Sequence, residues 1–239
     1  MNADHDEKDT IDSSSLLPVE LTAISHYYER STDENVLHQV TLSVQEGEYL
    51  AIMGPSGSGK STLLKIMGTL LRPSSGRVEL FGQAVYDLDD TRLSALRSTY
   101  IGFLFQAHHL LPEFTVGENV ILQMMAAGCG SPASCLEKAT AILERVGLRK
   151  KIDKLPRQLS MGERQRSALS RAVAHGPGLL LCDEPTGSLD SENGSLVLGL
   201  IDELRQETLQ AVVVATHNPT VAGRADRVLY LVDGTVNTP

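Results

Sequence analysis

The chain has 239 residues, 41% hydrophobic and 21% charged, with a net charge of -9 and no tryptophan. That length suits one large α/β domain, with room for an inserted subdomain and a sizeable core. The acidic balance argues against a nucleic-acid surface and against electrostatic attachment to anionic lipid.

Residues 1–15, "MNADHDEKDTIDSSS", are acidic and polar with one isolated isoleucine, and the segment to residue 17 reads as a disordered tail. From residue 18 short β-rich segments follow: "VELTAIS", "VTLSV" and "EYLAIM". A helix is predicted over "KSTLLKIMGTLL", a strand and turn over "GRVELFG", and another strand over "YIGFLF". Between about residues 107 and 175 the pattern is mainly helical, with turn signals at "GCGSP" and "LPRQLS", and it reads as an insertion. The last third alternates again: "LLLC", a helix around "SLVLGLIDELRQ", "AVVVAT", a short helix and "RVLYLV". Strands alternating with helices, two of them apolar throughout, predict a parallel sheet covered on both faces. Cys129, Cys135 and Cys182 fit neither a disulfide framework nor a Cys-x-x-Cys metal site, which favours a reducing compartment. No apolar run reaches the roughly 18 residues of a membrane span and no signal peptide opens the chain, so any membrane part is expected on another subunit.

The strongest chemical signal is "GPSGSGKST", residues 54–62, which matches G-x-x-x-x-G-K-[ST] between a strand and a helix. Gly54, Gly57 and Gly59 let backbone N–H groups turn inward around an anion, with Pro55, Ser56 and Ser58 completing the loop. Lys60 reaches phosphate, the Ser61 hydroxyl can ligand Mg²⁺, and Thr62 follows in the first helical turn. The bland alternative is an ordinary glycine-rich strand-to-helix turn. Two further strand ends carry polar residues: Asp183 and Glu184 after "GLLLC", and His217 after "AVVVAT". Ligands in open α/β sheets bind at the carboxyl ends of strands, so these groups should converge on the phosphate loop. Asp183 suits a Mg²⁺ contact, Glu184 can activate water, and His217 can hold a terminal phosphate. Taken singly, the acidic pair reads as a helix cap and the histidine as structural. Their joint placement argues for a site.

In the order "GPSGSGKST", Gln106, "LSMGE", "LLLCDEP", "GSLD" and His217, the chain resembles the ATP-binding subunits of ABC transporters. The resemblance covers nearly everything after the tail. It implies a P-loop NTPase core with a mostly parallel sheet, a small antiparallel β subdomain and an inserted helical subdomain, with ATP and Mg²⁺ as cofactors. It also implies that Gln106 senses Mg²⁺ and the γ-phosphate, and that an aromatic residue in "ISHYY" stacks on adenine. Tyr28 fits, with Tyr27 adjacent. Residues 188–190 join two active sites, and Ser160, Gly162 and Glu163 serve the ATP of a second copy of the chain. Two chains would thus dimerise around two ATP molecules. The departure is Met161, where the family usually has glycine. Its side chain either crowds the partner's nucleotide or turns away, so a retuned contact is expected.

The segment "AHHLLPEFTVGENV" lies where the family grips its membrane subunits. Its wording is most similar to the ATPases of lipoprotein-releasing systems, whose integral membrane subunits are of the LolC/LolE type. MacB-type exporters and FtsE-type division ATPases share "GERQR" and "DEPTG". His108 and His109 read either as part of that contact or as an exposed loop pair. The resemblance places the protein on the cytoplasmic face of a bacterial inner membrane. A soluble, nucleic-acid-handling ATPase of the family would usually carry two such domains or a long coiled-coil insertion, and neither is present.

Overall fold

A computed structural model describes residues 16–28 and 36–237, so residues 1–15 of the expected acidic tail lie outside it. Leu17, assigned to that tail, already belongs to the domain: its carbonyl accepts from Phe81 N at 3.0 Å.

Two sheets form the frame. One is antiparallel, in the order β2 (Leu37–Val44), β1 (Val19–His26), β4 (Ser75–Leu80), β5 (Gln83–Ala84). The other has six strands, in the order β10 (Thr235–Asn237), β9 (Arg227–Val232), β3 (Tyr49–Met53), β8 (Ala211–Thr216), β7 (Leu179–Asp183), β6 (Ile101–Leu104). It is parallel except where β10 turns back on β9. The apolar runs of β7 and β8 are explained by burial on both faces. Leu179, Leu181, Val213 and Ala215 face a core shared with the antiparallel sheet and α1 (Lys60–Met67). Their alternates Leu180, Cys182, Val212 and Val214 face α5 (Met161–Val173) and α6 (Ser191–Thr208).

Two helices deviate from the sequence reading. The helix predicted to residue 71 ends at Met67, with Gly68 as its C-cap, a position kept bare by the Phe103 ring. Thr69, at φ 58, then turns the chain in the left-handed region. The helix α2 (Asp90–Tyr100) carries almost no apolar signal, since only Leu96 along it is buried. Its start is nevertheless written in the sequence, because Asp89 caps it by accepting from Arg92 N at 2.8 Å.

The helical segment has a small core of its own. In α3 (Val116–Ala126) and α4 (Pro132–Arg145), Val116, Val120, Met124, Cys135, Ala139 and Leu143 pack together, joined by Leu159. Reciprocal hydrogen bonds between Thr115 and Glu118 close the start of α3 as a capping box. The helix α5 links this core to the sheet. Leu159 just before it and Ala174 just after it pack with the helical core, whereas Ala168, Leu169 and Ala172 belong to the core under the sheet. It lies so close to β6 that a side chain at Gly102 would overlap the Ala172 carbonyl. The remaining helix, α7 (Pro219–Ala222), is a single turn after β8.

Gly102→Ala is therefore expected to destabilise the domain by about 1–3 kcal/mol through overpacking. Gly199→Ala, in α6 with open space around it, should stabilise by up to about 1 kcal/mol through helix propensity. Urea denaturation of both variants checks the pair, and equal shifts in the same direction would contradict this packing.

Candidate active site

The polar residues singled out in the sequence meet at the carboxyl ends of β3, β8, β7 and β6, four neighbours in the parallel sheet. After β3 the chain enters residues 54–59, with Ser58 N donating to Pro55 O at 3.3 Å. The three glycines expected to shape this loop have separate reasons. Gly54 must be bare because the Leu231 carbonyl of β9 occupies the place of a side chain. Gly57 is not crowded at all, since a β-carbon there would meet nothing within 4 Å. Its requirement is conformational: it stands at φ 84, and Gly59 at φ 100, both in the region that favours glycine.

Gly59 opens α1 with no side-chain cap and no acidic residue in the first turn. Every other α-helix in the described residues starts from a capping side chain: Asp89, Thr115, Ser131, Ser160, Asp190 or Asn218. The N-terminal N–H groups of α1, with the positive end of its dipole, are thus left for an outside anion. Lys60 makes the same case more strongly. Its ammonium is buried and donates to Gly54 O and Pro55 O, both at 2.8 Å. No carboxylate forms an ion pair with it among the described residues. A buried cation satisfied only by neutral carbonyls is expensive until an anion arrives, and a di- or triphosphate fits that need.

Ser61 Oγ donates to Asp183 Oδ1 at 2.9 Å, bringing together the hydroxyl and carboxylate expected to ligand Mg²⁺. Two hard oxygens beside a phosphate loop suit that ion. Burial raises the Asp183 carboxyl above the usual carboxylate range, with the Ser61 bond opposing it and Glu184 adding to it. Gln106 follows β6, and its Nε2 lies beside Gly187, three residues after Glu184.

Glu184 stands at φ 46, a costly backbone state for a residue with a side chain, and donates its N–H to Ala215 O at 2.9 Å. Its carboxylate is gripped on both oxygens. Oε2 accepts from Thr216 Oγ1 at 3.1 Å, and Oε1 accepts from His217 N at 3.1 Å and contacts His217 Nδ1 at 2.7 Å. With Nδ1 engaged, Nε2 is the His217 nitrogen left for another partner. Thr216 is a residue the sequence reading missed. Its only signal is a hydroxyl closing an otherwise apolar strand.

Tyr28 and Tyr27 are separated by their contacts. Tyr28 OH lies 3.2 Å from Thr62 Oγ1 on α1, and its ring meets His26 edge-on at 4.8 Å. Tyr27 N instead donates to Ser74 Oγ. Of the two, Tyr28 adjoins the phosphate loop.

Ser160, Gly162 and Glu163, expected to serve a second chain, also have work within their own. Ser160 Oγ accepts from Glu163 N at 3.2 Å, and Glu163 Oε2 accepts from Ser160 N at 2.9 Å. The bare backbone at Gly162 is filled by the Asn193 side chain of α6, which would overlap any β-carbon there. Asn193 in turn is held by Asp190 and Arg166. Gly162 therefore has a packing requirement within its own chain as well. The histidine pair also needs correction: His108 is buried rather than exposed, between Gln165 and Met161, while His109 is exposed with its ring against Phe105.

The family model for the ABC transporter matches residues 37–187. The LolD ATP-binding protein of the lipoprotein-releasing system from Shewanella denitrificans is 48% identical over 87% of this chain and 89% of its own. A MacB macrolide export ATP-binding/permease protein from Rhodopirellula baltica is 47% identical over 85% of this chain but only 30% of its own. Among solved structures, a dimeric ATP-binding cassette in a post-hydrolysis state with ADP and Pi superposes with a TM-score of 0.86. It is 38% identical and the match covers 92% of this chain and 96% of that one.

The raised Asp183 carboxyl makes a prediction with a definite sign. The fold favours its protonated form, so its penalty grows as pH rises through the unfolded-state value and is complete above the folded one. Asp183→Asn removes that penalty. The variant should melt at a higher temperature than the parent at neutral pH without nucleotide, and the gap should close as pH falls toward the carboxylate range. A lower melting temperature at neutral pH would contradict the burial argument.

Proposed function

The chain belongs to the ABC transporter family, and from that premise we propose that it is the ATP-hydrolysing subunit of a lipoprotein-releasing complex in a bacterial inner membrane. The observation that carries the hydrolytic part is the buried Lys60, bonded among the described residues by two peptide carbonyls beside the uncapped start of α1. Within it, residues 54–62 bind the phosphates through backbone N–H groups, Lys60 and side-chain hydroxyls, and Tyr28 stacks on adenine. Ser61, Asp183 and Gln106 would hold Mg²⁺, which would supply charge neutralisation on the phosphates. Glu184, fixed by Thr216 and His217, accepts the proton of the attacking water, and His217 contacts the γ-phosphate through Nε2. Ser160, Gly162 and Glu163 complete the site of the partner protomer.

Glu184→Gln is expected to lower hydrolysis by about 10²–10⁴-fold while leaving nucleotide binding intact. The ATP-bound dimer should then accumulate on size-exclusion chromatography. Near-normal turnover would remove Glu184 from the role of base.

The link to a membrane partner rests on a groove of about 410 Å³ between α2, α3 and the segment after Gln106. Exposed Leu70, Leu111 and Leu122 line it together with Arg97, Phe105 and Arg171. Its wall is firm, because buried Asn119 bonds the backbone of Leu111, Phe114 and Thr115 through four hydrogen bonds of 2.8–3.1 Å. An amphipathic helix from a LolC/LolE-like subunit fits this groove and would hold the protein at the cytoplasmic face. None of the described helices is long and apolar enough to cross a membrane. The exporter relative favours a MacB-type partner as the second reading. Leu122→Arg should abolish co-purification with membrane subunits and leave ATP binding by the isolated chain unchanged. Mass spectrometry of subunits captured by the parent protein separates the two partner types, and capture of neither sinks both.

A further inference from the structure

His108 is a buried residue near the site that the proposed chemistry does not use. It stands at φ 62, and its carbonyl and that of His109 both accept from the Arg171 guanidinium. Its ring joins two parts of the molecule. Nδ1 meets Gln165 Oε1, and Nε2 lies 3.0 Å from Met161 Sδ. The proton positions follow from the other end of Gln165. Its Nε2 donates to Pro185 O at 2.8 Å, and a carbonyl can only accept, so Oε1 faces His108. Nδ1 therefore carries the proton, and the unprotonated Nε2 is in direct contact with the Met161 sulfur, which packs against that edge of the ring. One histidine thus fastens the first residue of α5 to the turn that carries Glu184.

Met161 needs such a fastening. It occupies the first position of α5, between Ser160 and the bare Gly162, and it is 47% exposed. A flexible side chain there, released, sweeps the surface that a second chain's ATP must approach. We propose that His108 is a positioning residue that draws the Met161 side chain back toward its own protomer and so keeps the start of α5 open to the partner's nucleotide. The inference rests on the trans arrangement proposed above.

Four full-length chains test it, each in the Glu184→Gln background: the parent, His108→Asn, Met161→Gly and the double variant. Asparagine places an amide where Nδ1 was, so it keeps the Gln165 bond and loses only the reach to Met161. The ATP concentration that half-saturates dimer formation should rise roughly tenfold in His108→Asn. Binding of a fluorescent ATP analogue to the monomer should stay at the parent value, as should the melting temperature. Met161→Gly should dimerise at least as readily as the parent, and the double variant should return to its level. A double variant as impaired as His108→Asn would overturn the proposal, because His108 would then act without Met161. Impairment in Met161→Gly alone would also overturn it, by making Met161 a contact rather than an obstacle. Ser160→Arg serves as the separate control: if it dimerises normally, the trans arrangement itself has failed.

Discussion

A buried lysine that forms no ion pair among the described residues is the constraint around which this molecule is organised. Lys60 is held by two neutral carbonyls of its own loop, at the start of the one α-helix among those described that lacks a side-chain cap. Both features cost stability in isolation and both are relieved by the same ligand. The surrounding groups follow. Burial raises the Asp183 carboxyl, a shift that a divalent cation would oppose, and Glu184 sits in a left-handed backbone conformation with its carboxylate held by three groups at the end of β8. The site is an unfinished electrostatic structure set into a finished core.

The start of α5 is built on the opposite plan. Two of the donors at its start, Ser160 N and Glu163 N, are taken by the capping box, and the space beside its glycine is filled by Asn193 from α6. The two glycine-opened helices therefore look alike in sequence and differ in physics. At α1 no side chain caps the helix and no acidic residue lies in its first turn, so its N–H groups stay available to an anion. At α5 the bare position lets two helices approach, which ties the segment facing a second protomer to the loop at Asp190.

Legibility in the sequence followed burial. The strands β7 and β8 were readable because residues on both faces are apolar, and the phosphate loop because its spacing has few other uses. The helix α2 was not readable because it buries only Leu96, leaving no periodic stripe. His108 escaped for a different reason. A histidine pair in a polar segment looks like loop, and only the return of α5, more than fifty residues later, buries one of the two. Thr216 and Gln165 escaped likewise, since their partners come from distant parts of the chain.

The position of β3 carries a consequence for synthesis. The strand that leads into the phosphate loop is made early, yet both of its neighbours, β8 and β9, come from the last part of the chain. The Leu231 carbonyl against Gly54 belongs to that late strand as well. During translation β3 therefore waits with both edges unpaired while the helical segment and β6 and β7 emerge from the ribosome. Such long-range parallel pairing is slow and exposes aggregation-prone edges. The nascent chain becomes able to hold nucleotide only when its final strands dock, so a stalled or truncated product is inert toward ATP instead of being an unregulated hydrolase.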